Sequence, residues 1–396
     1  MPKIAPFNAI RYAPGTDLQA VIAPPYDVLS GEDVAALGAR DRHNIVHVDV
    51  PVGDEDRYEV AAAKLSDWLV EGVLVLDEQP SLTIYRMNFT DATGSPRAIV
   101  GVLTGLEVVD ADAGGVLPHE RTTPKAVTDR LDLTRATATN LSPVWGLSLA
   151  SGLTEALAAP GEKLGEMVAE GVVHSVERIT DPARIAEITA ILASDDVLIA
   201  DGHHRYSISR TYRDEVREAR GSNETEAEFT LAFVNELVAD QLSIEAIHRL
   251  YTGITIEQLQ ADLADCFDFA PASPPTPATL TEMVELGRLA LLSPDGTATW
   301  LIPKDAALAG VRALDGAYLE YALAASTAEV SYQHGLTEML DLVASGTVAA
   351  GVLIRPTSLA EIQRTAREGL LMPPKSTFFT PKLRTGLVIR PTAALA

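Results

Sequence analysis

The sequence predicts a mixed α/β fold of the α+β kind. Strand-length apolar runs alternate with stretches at helical spacing along the whole chain. A short apolar run at 195–200 passes directly into a polar-faced helical stretch. Hydrophobic residues make up 47% and charged residues 22%, a balance that builds a packed core and excludes wholesale disorder. At ~150 residues per domain, the 396 residues suggest two or three domains. We read them as 1–150, 151–268 and 269–396.

Residues 45–50 are rich in β-formers. Residues 56–71 carry Val60, Ala63, Leu65, Trp68 and Leu69 at helical spacing and stop at Gly72, a helix ending. Residues 81–89 and 97–109 read as two strands around the turn Asp91-Ala92-Thr93-Gly94. Helical spacing returns at 153–169. The strand 195–200 leads through Asp201-Gly202 into a helix over 206–220, and 229–238 and 244–250 continue the mixture. Residues 270–277 hold four prolines and read as a surface connection. Residues 288–302 form a hairpin turning at Ser293-Pro294-Asp295-Gly296; helices follow at 314–325, 337–344 and 359–368, with strands at 351–355 and 386–389.

Lys plus Arg is 31 and Asp plus Glu is 55, a net charge of 31 − 55 = −24. This argues against a nucleic-acid binder that neutralises phosphates over a broad face, and disfavours an anionic membrane surface. An anionic ligand needs a local positive cluster. The single cysteine, Cys266, excludes an internal disulfide and a multi-cysteine zinc site, and reads as a small buried hydrophobe. No secretory leader, bilayer-length apolar run or internal repeat is visible, so the expectation is a cytoplasmic protein. Homo-oligomerisation is left open.

Four segments can carry chemistry. In the first, Asp201-Gly202-His203-His204-Arg205, Gly202 allows a sharp turn and close approach of a ligand. The unpaired N–H groups of the helix start favour an anion. Arg205 can hold a phosphate bidentately, the imidazoles of His203 and His204 add donors, and Asp201 can hold Mg²⁺ or orient a histidine. The bland reading makes Asp201 a helix cap and the histidines surface residues. Neighbouring helical histidines face different ways and do not share an ion.

The second segment runs through His119, Glu120, Arg121 and Lys125 to Asp129 and Arg130. Glu120 suits a general base or a Mg²⁺ ligand, and Arg121, Lys125 and Arg130 suit a phosphate clamp. A capping turn on a solvated helix fits equally well. The third is Pro24-Pro25-Tyr26-Asp27, a rigid turn presenting Asp27 ahead of a helix capped by Ser30. The fourth, Lys375-Ser376-Thr377 with Lys382, can bind phosphate or form a surface loop. It is not a Walker A loop, and no GxGxxG, GxSxG or HExxH occurs at these sites.

Together with Asn140-Leu141-Ser142-Pro143 and Met372-Pro373-Pro374, these blocks resemble a bacterial and archaeal family known as domain of unknown function 1015. The Gly202–Arg205 turn is similar to the phosphate-binding strand–turn–helix of the ParB/sulfiredoxin superfamily, which includes the free serine kinases. The resemblance implies a ParB/sulfiredoxin-like core within 151–268, with further α/β elements at both ends. It also implies a nucleotide-dependent phosphotransferase of serine metabolism, with ATP or ADP as donor, Mg²⁺ as cofactor and a small hydroxyl substrate, free L-serine favoured. Gly202, His203, His204, Arg205, His119, Arg121, Lys125, Arg130, Lys375 and Ser376 would bind the nucleotide or its phosphates. Glu120, Asp201 and Asp27 are the candidate catalytic carboxylates, Asp201 and Glu120 the candidate metal ligands. A nucleotide-binding regulator without chemistry, or a hydrolase of phosphoserine, would use the same cluster.

Overall fold

The computed structural model describes residues 1–91, 94–111, 113–118, 127–373 and 375–393. The fold is mixed α/β. The chain divides into two compact units, Met1–Leu242 with Pro381–Ala396, and Ser243–Thr380.

The first unit is built on a nine-stranded mixed sheet. Across it run Val116–Leu117, Val197–Asp201, Val144–Ser148, Phe229–Glu236, Pro96–Glu107, Leu82–Thr90, Val172–Ile179 and Glu162–Ala169, with Ile4–Ala5 paired to the end of Pro96–Glu107. The sheet takes strands from both sides of residue 150. Two neighbouring pairs are parallel, Val197–Asp201 with Val116–Leu117 and Phe229–Glu236 with Val144–Ser148. Ile84, Val102, Val144, Ile199 and Val234 form the core against Leu153, Ile188, Leu192 and Tyr206 from the helices. Asn235 is buried in this sheet and accepts the Trp145 indole N–H at 2.7 Å, so the polar atoms there are paired.

Several sequence expectations hold. The helix Arg57–Val70 ends before Gly72, whose φ is +73°. Ser30 caps the helix Gly31–Arg40 reciprocally with Asp33. Leu82–Thr90 and Pro96–Glu107 pair antiparallel. Two expectations fail here. Residues 45–50 hold one helical turn, Val46–Asp49, because the Asn44 side chain accepts the Val46 N–H at 3.0 Å and starts a helix. Residues 153–169 hold one turn, Leu153–Ala156, and then the strand Glu162–Ala169. Pro160-Gly161 stops the helix, and Glu170-Gly171, both at positive φ, form a tight turn back into Val172–Ile179. The expected strand at 386–389 is also absent. Thr385 and Ile389 make single bridges to Ala23 and Ile10, and among the described residues the only strand beyond them is Arg390–Pro391.

The second unit has a six-stranded sheet, entirely antiparallel, in the order Phe267–Ala272, Ala298–Pro303, Leu289–Leu292, Ala350–Leu353, His248–Thr252 and Glu329–Gln333. The hairpin expected at 288–302 is Leu289–Leu292 with Ala298–Pro303. The proline-rich connection is shorter than expected, since Ala270, Pro271 and Ala272 continue the edge strand and Pro277 opens the helix Pro277–Leu286. An edge strand tolerates Pro271 because one side of its backbone has no ladder to complete. Helices at Asp315–Ala322, Leu336–Ala344 and Leu359–Arg367 follow the spacing. Cys266 is buried.

Candidate functional site

The strand Val197–Asp201 is covered by apolar neighbours until its last residue, where the register shifts between Ile199 and Asp201. Gly202 then takes φ +86° and ψ +28°, a conformation that costs an L-residue about 1–2 kcal/mol. The 18-residue helix His203–Arg220 starts immediately. It buries Tyr206, Ile208 and Tyr212, the last two with Leu131 of the helix Val127–Thr137, and ends on Gly221 at φ +61°. Strand and helix are thus both anchored, and the turn between them is held at a fixed place.

Arg205 points inward. Its guanidinium folds over Gly202, so that a methyl placed on that glycine would lie 3.1 Å from Arg205 Cζ. It donates to the Pro143 carbonyl and, at 3.1 Å, to Asp201 Oδ2, and Asp27 Oδ2 lies 3.8 Å away. Its Nε is buried with no hydrogen-bond partner. Asp201 also meets Lys382 Nζ at 3.6 Å. Burial would raise the Asp201 carboxyl, but Lys382, Arg205, His203 and the Gly202 N–H outweigh it and hold the carboxyl well below the usual range.

Arg130 reaches the same place from the helix Val127–Thr137. It lies 4.2 Å from the Tyr26 ring centre and donates to the backbone carbonyl of Asp49 and, at 3.3 Å, to Asp49 Oδ1. Asp49 is fully buried. Ser142 Oγ donates to its Oδ1 at 3.4 Å, while Oδ2 has no partner. Burial pushes the Asp49 carboxyl up, and Arg130 and Arg205 offset only part of that. Tyr26, Asp49, Arg130, Ser142 and Arg205 line a cavity of about 50 Å³.

Asp27, Asp201, Gly202 and Arg205, four of the sequence candidates, therefore meet, with Arg130 on the same cavity as Arg205. His203 and His204 open the helix, half-buried. His119, Glu120, Arg121 and Lys125 lie outside the described residues. Lys375 and Ser376 belong to the second unit, where Lys375 is exposed at φ +59° and Ser376 Oγ donates to the Pro373 carbonyl at 2.7 Å. Asp49 was not among the candidates. Its signal was an acid inside an apolar run, and the partner that explains it, Arg130, stands 81 residues away.

Three cations (Arg130, Arg205, Lys382) face four carboxylates (Asp27, Asp49, Asp129, Asp201) in a chain of net charge −24. The paired environments split the carboxylates. Asp201 is held charged, and Asp49 is driven toward the neutral acid. Among the described residues no group of three or more His, Cys, Asp or Glu is arranged to hold a metal ion, and no helix is long and apolar enough to cross a membrane.

Among solved structures, the chain resembles a free serine kinase variant in complex with ADP, at 13% identity and a TM-score of 0.38, covering 69% of this chain and 89% of that one. It resembles a conserved hypothetical protein from Pyrococcus furiosus at 12% identity and a TM-score of 0.38, covering 69% and 92%. It also resembles C-terminally truncated SbnI from Staphylococcus aureus at 15% identity and a TM-score of 0.36, covering 72% and 87%. No curated protein matches the sequence. The family model described as "protein of unknown function (DUF1015)" matches residues 4–317, and the chain belongs to that family.

Proposed function

We propose that the first unit is a nucleotide-dependent phosphotransferase of serine metabolism. It would move a phosphoryl group from ATP or ADP to a small hydroxyl substrate, free L-serine favoured. The observation that carries this reading is the turn at Gly202, where a left-handed glycine, a long helix start and Arg205 converge beside carboxylates in contrasting protonation environments. Phosphoryl transfer asks for charge neutralisation and a proton acceptor more than for covalent chemistry. In this reading the turn is of the ParB/sulfiredoxin type, and the helix N–H groups with Arg205 hold phosphate oxygens after exchange with Asp201 and Asp27. Arg130, His203 and His204 stand by as further donors.

Asp201, held charged by its cations, is a poor base. Asp27 is more exposed and beside Arg205, Asp49 has a bare oxygen on the cavity, and Glu120 remains a candidate from the sequence. Mg²⁺ would enter with the phosphates and take at most one or two protein carboxylates, Asp201 or Glu120, supplying charge neutralisation. A binding-only regulatory role is favoured by one observation: Arg205 already donates to Pro143 and Asp201.

Incubation with L-serine, Mg²⁺ and either ATP or ADP, followed by mass spectrometry, is expected to show phosphoserine. Nucleotide binding without product favours the regulator. Arg205→Ala should weaken ADP binding by roughly tenfold or more, as expected for a lost charged hydrogen bond. ADP binding equal to that of the parent would remove the phosphate assignment.

A further inference from the structure

We propose that the second unit carries a homodimer interface, in which the edge strand Glu329–Gln333 pairs antiparallel with the same strand of a second copy about a two-fold axis at Ser331. The contact is separate from phosphotransfer and does not depend on that reading.

A sheet edge offers unpaired N–H and C=O groups to another strand. Proteins guard such edges with proline, lysine, a bulge or a very short strand. The two large sheets end in four outermost strands, and three of them are guarded in these ways. Glu162–Ala169 of the first unit carries Lys163, and its Leu164 falls out of register with Val172–Ile179. Val116–Leu117, at the other end of that sheet, is two residues long. Phe267–Ala272 of the second unit holds Pro271, with Pro274 close behind. The fourth, Glu329–Gln333, has no proline, lysine or arginine. Its first four residues are exposed, and among the described residues its one strand partner is His248–Thr252.

The strand is also complementary to itself. With Ser331 on the axis, Val330 of each copy faces Tyr332 of the other, and Glu329 faces Gln333. Aromatic residues opposite β-branched ones are favoured cross-strand pairs. Val330 and Tyr332 are 46% and 38% exposed. They stand opposite Tyr251 and Arg249 of the neighbouring strand, and Tyr251 is buried in the core of this unit. The row that begins in the core therefore ends at the sheet edge half in water, and a second copy continues it.

Charge selects the same arrangement. Glu329 is the one charged residue of the strand, and in this register it meets an amide. Parallel pairing in register would stack Glu329 on Glu329, which costs like-charge repulsion. The two-fold at Ser331 pairs all five residues without a like charge. Each copy carries a net charge of −24, but at physiological salt that repulsion is screened beyond about 8 Å. A five-residue pairing lies at the small end of specific interfaces, so dimer and monomer exchange reversibly.

The test is sedimentation equilibrium of the full chain at physiological salt, at protein concentrations up to about 0.5 mM, where a small interface is populated. A reversible monomer–dimer equilibrium is expected. Val330→Lys places a guarding residue on the edge and should abolish the dimer. Gln333→Glu sets two carboxylates face to face twice and should weaken it about fivefold, whereas Gln333→Lys makes two opposite-charge pairs and should tighten it about fivefold. Circular dichroism checks that each variant is folded. If Val330→Lys is not, the two Gln333 variants decide. A parent that stays monomeric throughout, or grows beyond a dimer, overturns the proposal. So does a dimer that survives in folded Val330→Lys, or Gln333 variants that do not shift the equilibrium in opposite directions.

Discussion

The two units place their cations by different means. In the first, Arg130, Arg205 and Lys382 are set against carboxylates drawn mostly from widely separated stretches of chain. In the second, Arg249 is held by carbonyl oxygens and an aromatic ring, and the nearby carboxylates are shared among other arginines. The first arrangement splits the proton affinities of its acids, which suits proton transfer. The sheets differ in step. The first is mixed, and one of its strands with a parallel neighbour, Val197–Asp201, delivers a turn and a helix start. The second is antiparallel throughout.

The largest effect that can break this comparison lies in the sheets. A methyl on Gly101 would sit 2.5 Å from the Phe233 ring and 2.7 Å from the Val234 carbonyl, neither of which yields easily. Gly101→Ala should cost the first unit about 3 kcal/mol. A methyl on Gly351 of the second unit would meet Met339 Cε at 2.5 Å and Val343 Cγ2 at 2.7 Å, side chains with no backbone among them, so Gly351→Ala should cost less, about 2 kcal/mol. Fluorotryptophan NMR during urea unfolding reports each unit separately, through Trp145 and Trp300. Equal costs would erase the distinction.

Next comes acid. His174 is buried against Tyr85 and Arg384, and burial first, then Arg384, lowers its pKa to about 3. His248 accepts the Ile354 N–H, and burial, Arg249 and His334 lower its pKa to about 4. Each histidine binds fewer protons folded than unfolded. The stability this provides is complete above pH ~6.5 and is lost as pH falls, the loss amounting to roughly 2 kcal/mol for each histidine by pH 5. The decline should flatten near pH 4 in the second unit and continue to about pH 3 in the first. His174→Gln and His248→Gln should each flatten one curve alone, again read by fluorotryptophan signals.

A smaller effect separates two glycines, Gly202 and Gly316. Gly202→Ala forces an L-residue into φ +86° and should cost about 1–2 kcal/mol in urea unfolding. Gly316 sits in a helix, where alanine gains up to ~1 kcal/mol over glycine. Gly316→Ala should therefore leave stability nearly unchanged. The smallest effect is on the surface. Lys163 and Glu166 pair at 3.3 Å with both side chains exposed, and Glu166→Gln should change stability by less than ~0.5 kcal/mol.

Local order was legible wherever a short stretch carries its own instruction. Ser30 with Asp33, the stop at Gly72 and the hairpin turning at Asp295-Gly296 are settled by atoms a few residues apart. The same locality misled at 45–50 and 153–169. There, β-branched content and apolar spacing pointed one way, and an asparagine side chain and a Pro-Gly pair decided otherwise. Asp49 shows the limit most plainly: in sequence it is an acid in an apolar run, in space it is the partner of Arg130.

From residue order alone follow the mixed class, the strongly negative net charge and a strand–glycine–helix turn at Gly202, because composition and near-neighbour sterics act along the chain. Folding had to choose which charges would meet. It brought Lys382 to Asp201 from 181 residues on, and gathered Lys375 and Ser376 into the unit of Arg249. Coulomb energy and burial depend on distance through space, and that distance exists only once the sheets have closed.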